Sequence, residues 1–334
     1  MNTVPTTHVT ASPTARRTLP VESGVGVVFV LIFAFFSWRL PHFFSVDNLQ
    51  LLAEQAAPLA IVAMGMTLVI ATGGIDISVG SLLGMCSMVL GWLATPKDVG
   101  GVGWNIWMAC VGAVAVGALC GLFNGLLITR AKLPPIIVTL ATMAAARAST
   151  SLFNDGGSFS GLPRTLHVTF YWTKIAGMPL LFWMGLLALT LGGVILRRTT
   201  FGRQLLALGG NREATRLAGI KTATTETLVY VLSGTLAGVA AVLSVAHQST
   251  AAPGAGEYME LEAITAVILG GTVITGGQAT LTGTGLGVLT IFTLVSGVRS
   301  YGQEDRPAWF LVGLALLLAV EVQKWRRGMK RQDS

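Results

Sequence analysis

The sequence predicts an all-α, polytopic membrane protein with about ten transmembrane helices and both termini cytoplasmic. Three observations lead there. Of 334 residues, 52% are hydrophobic and only 11% charged, where a soluble domain carries about 25% charged residues. The mean hydropathy is +0.69. The apolar residues gather into long continuous runs without the period-two alternation of barrel strands, so helices are the way this backbone satisfies itself in lipid.

A helix needs about 20 mostly apolar residues to cross the hydrocarbon layer. Ten segments meet or approach that: 21–38, 51–71, 79–95, 106–129, 134–154, 178–196, 225–246, 258–275, 281–298 and 307–323. Residues 1–20 are polar, rich in Thr, Ser and Pro, and read as a disordered cytoplasmic tail. No small-residue cleavage pattern follows the first apolar run, which ends "SWRLPHFF". Residues 21–323 form one membrane domain, and 324–334 are a basic cytoplasmic tail suited to anionic headgroups. The net charge of +7 is unevenly placed. Arg16, Arg17, Arg130, Lys132, the 197–221 stretch and the 324–331 cluster fall on one side of the alternating spans. Only scattered Lys and Arg fall on the other, which puts both termini inside. Nucleic acid is excluded as a partner because no soluble domain exists to hold it.

Between the spans, 155–177 reads as an ordered outer loop on the membrane, with Tyr171 and Trp172 at headgroup level. Cys86, Cys110 and Cys120 lie in apolar segments and behave as small hydrophobes. Glycines recur every fourth residue at Gly117, Gly121 and Gly125, at Gly234 and Gly238, and at Gly283 and Gly287. Such spacing lets helix backbones approach closely. A loose internal echo links "TLVIATGGIDISVGSLLGM" (67–85) with "AVILGGTVITGGQATLTGTGLGV" (266–288), and duplication and chance explain it equally well.

Enzymatic chemistry finds no support. The chain has no G-x-x-x-x-G-K-[ST] loop, no H-E-x-x-H and no G-x-S-x-G, its four histidines are far apart in sequence, and no cofactor or metal motif emerges. Polar residues inside spans are costly and therefore informative. Gln50, Glu54 and Gln55 in the second span, Asn124 in the fourth and Arg147 in the fifth are candidates for lining a path for a hydroxyl-rich solute. Glu260 and Glu262 open the eighth. A Glu54–Arg147 ion pair or plain interhelical hydrogen bonds would serve structure instead. So little intramembrane charge argues against a proton- or sodium-coupled carrier.

The cytoplasmic segment 197–224 reads as two short helices. An amphipathic stretch from Phe201 to Leu208 breaks at Gly209–Gly210, and Asn211 caps a second helix that opens with Arg212, Glu213 and Ala214 and ends near Gly219. That makes a projecting knob suited to a soluble partner. In the stretch "ATGGIDISVGS" (71–81), Gly73 and Gly74 end one helix and Asp76 or Ser78 caps the next, at a cytoplasmic turn where a charge costs little; Gly80 follows in the new helix.

Three blocks, "GMTLVIATGGIDISVGS" (65–81), "ALGGNREATRLAGI" (207–220) and "YMELEAITAVILGGT" (258–272), together resemble the ribose-type sugar permeases of bacterial ATP-binding-cassette importers. The resemblance runs from about residue 45 to 320. "SVGSLLGMCSMVLG" (78–91), "GLFNGLLI" (121–128), "GLP" (161–163) and "PAWF" (307–310) lean toward the autoinducer-2 and rhamnose-like members. Departures are conservative: Glu262 and Ile77 stand where the family more often has Asp and Leu.

The resemblance implies an inner-membrane subunit with no catalysis of its own. Its partners would be two cytoplasmic ATPase subunits or a fused pair, a second permease subunit, identical or paralogous, and a periplasmic sugar-binding protein. It gives the 197–224 loop the role of coupling to the ATPase, through Ala207, Leu208, Gly209, Gly210, Asn211, Glu213, Ala214 and Gly219. Gly73, Gly74, Asp76, Ser78 and Gly80 form its signature turn. A branched-chain amino-acid permease of the neighbouring family and a stand-alone carrier are the alternatives.

Overall fold

The computed structural model describes residues 21–300 and 305–332, with the side chains of 21–23, 305–306 and 322–332 excepted. The expected N-terminal tail lies outside the described residues, as do the side chains of the C-terminal basic cluster. The helices are α1 (Val21–Arg39), α2 (Val46–Ala71), α3 (Val79–Ala94), α4 (Ile106–Thr129), α5 (Pro135–Thr150), α6 (Arg164–His167), α7 (Leu180–Arg198), α8 (Thr200–Gly210), α9 (Arg212–Leu217), α10 (Thr222–Gln248), α11 (Met259–Leu269), α12 (Leu281–Ser300) and α13 (Asp305–Gln332). Five of them, α2, α4, α7, α10 and α12, are long and apolar enough to cross a membrane.

The α2 helix is the hub. Every residue from Ala56 to Ala71 is buried, and α7, α10, α11 and α12 pack around it. The glycine spacing works as expected between α4 and α10. A Cβ on Gly117 or Gly121 would strike the backbone of Gly234 or Tyr230, and one on Gly125 would meet Thr227. The two helices therefore touch main chain to main chain, where dispersion and not a hydrophobic effect holds them. Gly283 and Gly287 do the same against Gly270 and Ala266 of the α11 end.

The 155–177 loop is ordered, as expected. It holds α6, a π-helical turn (Val168–Trp172) and a two-residue hairpin, β1 (Lys174–Ile175) with β2 (Met178–Pro179). Trp172 is exposed, but Tyr171 folds inward and stacks on His167 with ring centres 4.6 Å apart.

The eighth segment departs most from expectation. Its helix, α11, covers only Met259–Leu269: the expected 270–275 falls in the connection that follows, and residues 253–258 before it are a run of turns. Residues 251–256 run along the glycine face of α3. Ala251 faces Gly91, the Ala255 carbonyl faces Gly84, and the Gly256 carbonyl faces Gly80. Unwound backbone in a bundle must find partners. Here Phe159 and Ala251 exchange both main-chain hydrogen bonds, and Arg147 donates to the carbonyls of Pro253 (2.9 Å) and Ala255 (3.1 Å).

Candidate functional site

Three glycine-rich stretches, far apart in sequence, meet at one point. The α2 helix ends at Ala71, and Gly73, at φ +84°, turns the chain away. The Ala71 carbonyl then accepts the Gly277 N–H at 3.0 Å. A Cβ on Gly276 would lie 2.7 Å from Gly73 N and 2.8 Å from Gly209 Cα. The signature turn, the last turn of α8 and the α11–α12 connection thus form one backbone-to-backbone junction. The two echoed stretches are the ones that meet, and one turn further in Thr67 and Thr284 share a buried hydroxyl–hydroxyl hydrogen bond of 2.9 Å. Gly276 and Gly277, at φ +82° and +81°, adopt a backbone that only glycine takes without strain.

Asp76 belongs to this junction, and here the sequence expectation needs correction. Asp76 is fully buried, not a solvated helix end. Its carboxylate is held by the Ser78 N–H (3.0 Å), the Ser78 hydroxyl (2.6 Å) and, from α10, the Ser233 hydroxyl (2.8 Å). Ser233 is 11 residues into α10, about 16 Å from its start. Asn124 donates to the Ser78 hydroxyl at 3.1 Å and accepts from Thr142, so α3, α4, α5 and α10 are joined through one polar cluster. A buried carboxyl group is tolerable because both of its oxygens are hydrogen-bonded. Gly80 is not part of the turn: it is the seat on α3 for the Gly256 carbonyl and the Glu260 carboxyl.

The knob folds largely as expected. Asn211 caps α9 by accepting the Ala214 N–H at 2.9 Å, and Gly219, at φ +82°, ends it. The α8 helix, however, continues through Gly209 and Gly210, and the break falls at Asn211. Leu205 and Leu208 are buried against the bundle, Ala207 is exposed, and Gly209 touches the Ala71 carbonyl and Gly277. On α9, Arg216 chelates Glu213, holding its carboxyl below the usual carboxylate range and its own guanidinium higher. Arg212 makes a bidentate pair with Glu226 of α10, at 3.0 and 2.6 Å, which raises its guanidinium. Sequence reasoning missed Glu226, Tyr230 and Ser233. Their spacing of i, i+4, i+7 on one helix face was the available signal.

The path-lining candidates scatter. Gln50 ties α2 to the outer hairpin, donating to the Gly177 carbonyl and accepting from Lys174. Gln55 is half-buried on the same helix. The Glu54–Arg147 pair does not form: Arg147 is committed to the turn carbonyls of Pro253 and Ala255, and Glu54, buried, faces His247 Nδ1 at 3.9 Å. Only Asn124 joins the junction.

The chain matches the family model described as "Branched-chain amino acid transport system / permease component" over residues 48–320. It is 35% identical over 300 residues to the ribose import permease protein of Escherichia coli (strain K12), covering 89% of this chain and 91% of that one. Against the ribose import permease protein of Bacillus subtilis (strain 168) the identity is 37% over 282 residues, covering 84% and 85%. With the autoinducer 2 import system permease protein of Escherichia coli O9:H4 (strain HS) it is 32% over 297 residues, covering 86% and 82%. No solved structure matches.

Proposed function

This chain belongs to the family of transport-system permease components just described, and from that premise we propose that it forms the translocation pathway for a monosaccharide or related small polyol in an ATP-binding-cassette importer. It is a multi-pass protein of the inner membrane and a transport subunit. The single observation that carries the solute class is the set of relatives: they are named for ribose and autoinducer 2 import, although the family's description mentions amino acids.

On this reading the chain crosses the membrane ten times, with both termini and the 197–224 loop inside. The α11 helix and the run of turns before it make up the eighth crossing. Separate cytoplasmic ATPase subunits hydrolyse ATP, a periplasmic binding protein delivers the solute, and a second permease subunit completes the pathway. The knob is the docking element. Support for that comes from its shape: α9 stands clear of the bundle apart from α8 and α10, and Leu217 at its end is 72% exposed, an apolar anchor for a cleft in a partner. Behind it, α8 rests on the glycine junction, so a pull on the knob reaches the α2–α3 and α11–α12 breaks directly.

The test is reconstitution of the permease with its ATPase and binding protein in proteoliposomes. D-ribose, D-fructose, L-arabinose, autoinducer 2 and L-leucine are offered in turn. The reading expects a sugar or autoinducer 2 to stimulate hydrolysis and to be accumulated. Stimulation by leucine alone would reassign the solute class, and uptake by the permease without the ATPase would make it a stand-alone carrier.

A further inference from the structure

Tyr230 is fully buried, yet its hydroxyl has no hydrogen-bond partner among the described residues. An orphaned buried hydroxyl forfeits its hydration without a replacement bond, and such groups call for a reason. The ring tip presses on the signature turn: a Cβ on Gly74 would lie 2.5 Å from the Tyr230 oxygen. Tyr230 follows Glu226, the partner of the knob's Arg212, by one turn of α10, and precedes Ser233, which holds Asp76, by another. These three residues line one face of α10, between the knob and the buried carboxylate.

We infer that Tyr230 is a positioning residue for coupling: its hydroxyl takes Asp76 as acceptor in the alternative conformation of the importer, in place of Ser233. The inference rests on the transport reading above. Tyr230 and Ser233 are three residues apart, so a relative displacement of α10 by about 4.5 Å along its axis exchanges them at Asp76. Shifts of about one turn between packed helices are a known form of two-state movement. Asp76 has a lone pair left for such a donor, since its Oδ2 accepts one hydrogen bond, from Ser233. The Arg212–Glu226 pair is the grip through which motion of α9 moves α10, because its two parallel bonds fix orientation as well as distance. The orphan in the present state is then the counterpart of a bond made in the other.

The test uses the complete importer with the solute from the panel that stimulates the wild type. Y230F removes only the hydroxyl, so the thermal midpoint of the complex should stay unchanged or rise. Solute accumulated per ATP hydrolysed should fall at least tenfold. S233A removes the bond made in this state, so its midpoint should fall. If Y230F accumulates solute per ATP within twofold of wild type, the inference fails. If Y230F lowers the midpoint or blocks assembly, the hydroxyl is bonded in this state, and the inference fails equally. If no solute stimulates the wild-type complex, the functional reading itself fails and this inference goes with it.

Discussion

Gly209 and Gly210 are chemically alike and adjacent on α8, yet an added methyl meets opposite surroundings at the two positions. On Gly209 it would collide with the Ala71 carbonyl and the Gly277 N–H, and would lie 3.0 Å from Gly276 Cα. Ordinary contact starts near 3.4 Å, so α8 has to withdraw by about 1 Å. Overpacking of that kind costs about 1–3 kcal/mol. It also strains the 3.0 Å Gly277–Ala71 hydrogen bond, worth about 1 kcal/mol. The better helix propensity of alanine returns up to about 1 kcal/mol. The net expectation for Gly209→Ala is a loss of about 1–3 kcal/mol. On Gly210 nothing lies within 4 Å, so Gly210→Ala should be neutral or gain up to about 1 kcal/mol. The assay is the thermal midpoint of the two purified variants in one detergent, followed by titration of each with a denaturing surfactant. Equal midpoints, or a more stable Gly209→Ala, would refute the close backbone approach at the junction.

Three further expectations follow from the same geometry. Arg147→Leu leaves the Pro253 and Ala255 carbonyls of the non-helical segment without their donor, and should cost about 3 kcal/mol or more; the yield of folded monomer on size exclusion checks it, with Arg147→Lys recovering part. Arg212→Ala strands the buried Glu226 carboxylate, whereas Glu226→Gln strands an Arg212 side chain that is 55% exposed. The first should therefore destabilise more than the second, by about 1–2 kcal/mol after allowance for solvent screening, and a reversed order of midpoints would contradict the pairing. Glu213 titrates below its ordinary value of 4.5 because Arg216 chelates it. Its contribution to α9 is thus complete above that value and fades only as the pH drops through the lowered one. Binding of the ATPase to the permease should show no Glu213-dependent change between about pH 5.5 and 8, measured as the difference between wild type and Glu213→Gln across that range.

Much of the helical framework was legible from hydropathy alone: the expected 106–129 is α4 to the residue, and most other ends differ by a few positions. Length and apolarity set those boundaries, and both are properties of a single segment. The eighth segment was drawn too long because 270–275 is as apolar as a helix, whereas the fold carries it into the glycine junction with Gly73 and Gly209, residues far away in the chain. Asn211 as a cap and Gly73 as a terminator were readable because capping is local. Asp76 was misplaced for the opposite reason. Its depth depends on Ser233, and no window around residue 76 contains that information. The same holds for Glu54, whose neighbour is His247 and not the arginine that charge pairing suggested. The echo between 67–85 and 266–288 was visible as a pattern, but its meaning, physical contact, came only from the fold.

The non-helical chain at 251–256 has a consequence for how the protein is made. On the ten-span reading, a segment with one half unwound and only 11 helical residues cannot enter the bilayer on its own. Its bare carbonyls need the Arg147 side chain and the α3 groove, and both lie earlier in the chain. Synthesis from the N-terminus therefore has the receptor in place before the guest emerges. A permuted chain that releases residues 249–269 ahead of α3 and α5 would present the insertion machinery with a segment it has no means of lodging. The order of the genetic text, and not only its composition, is then part of what lets this bundle close.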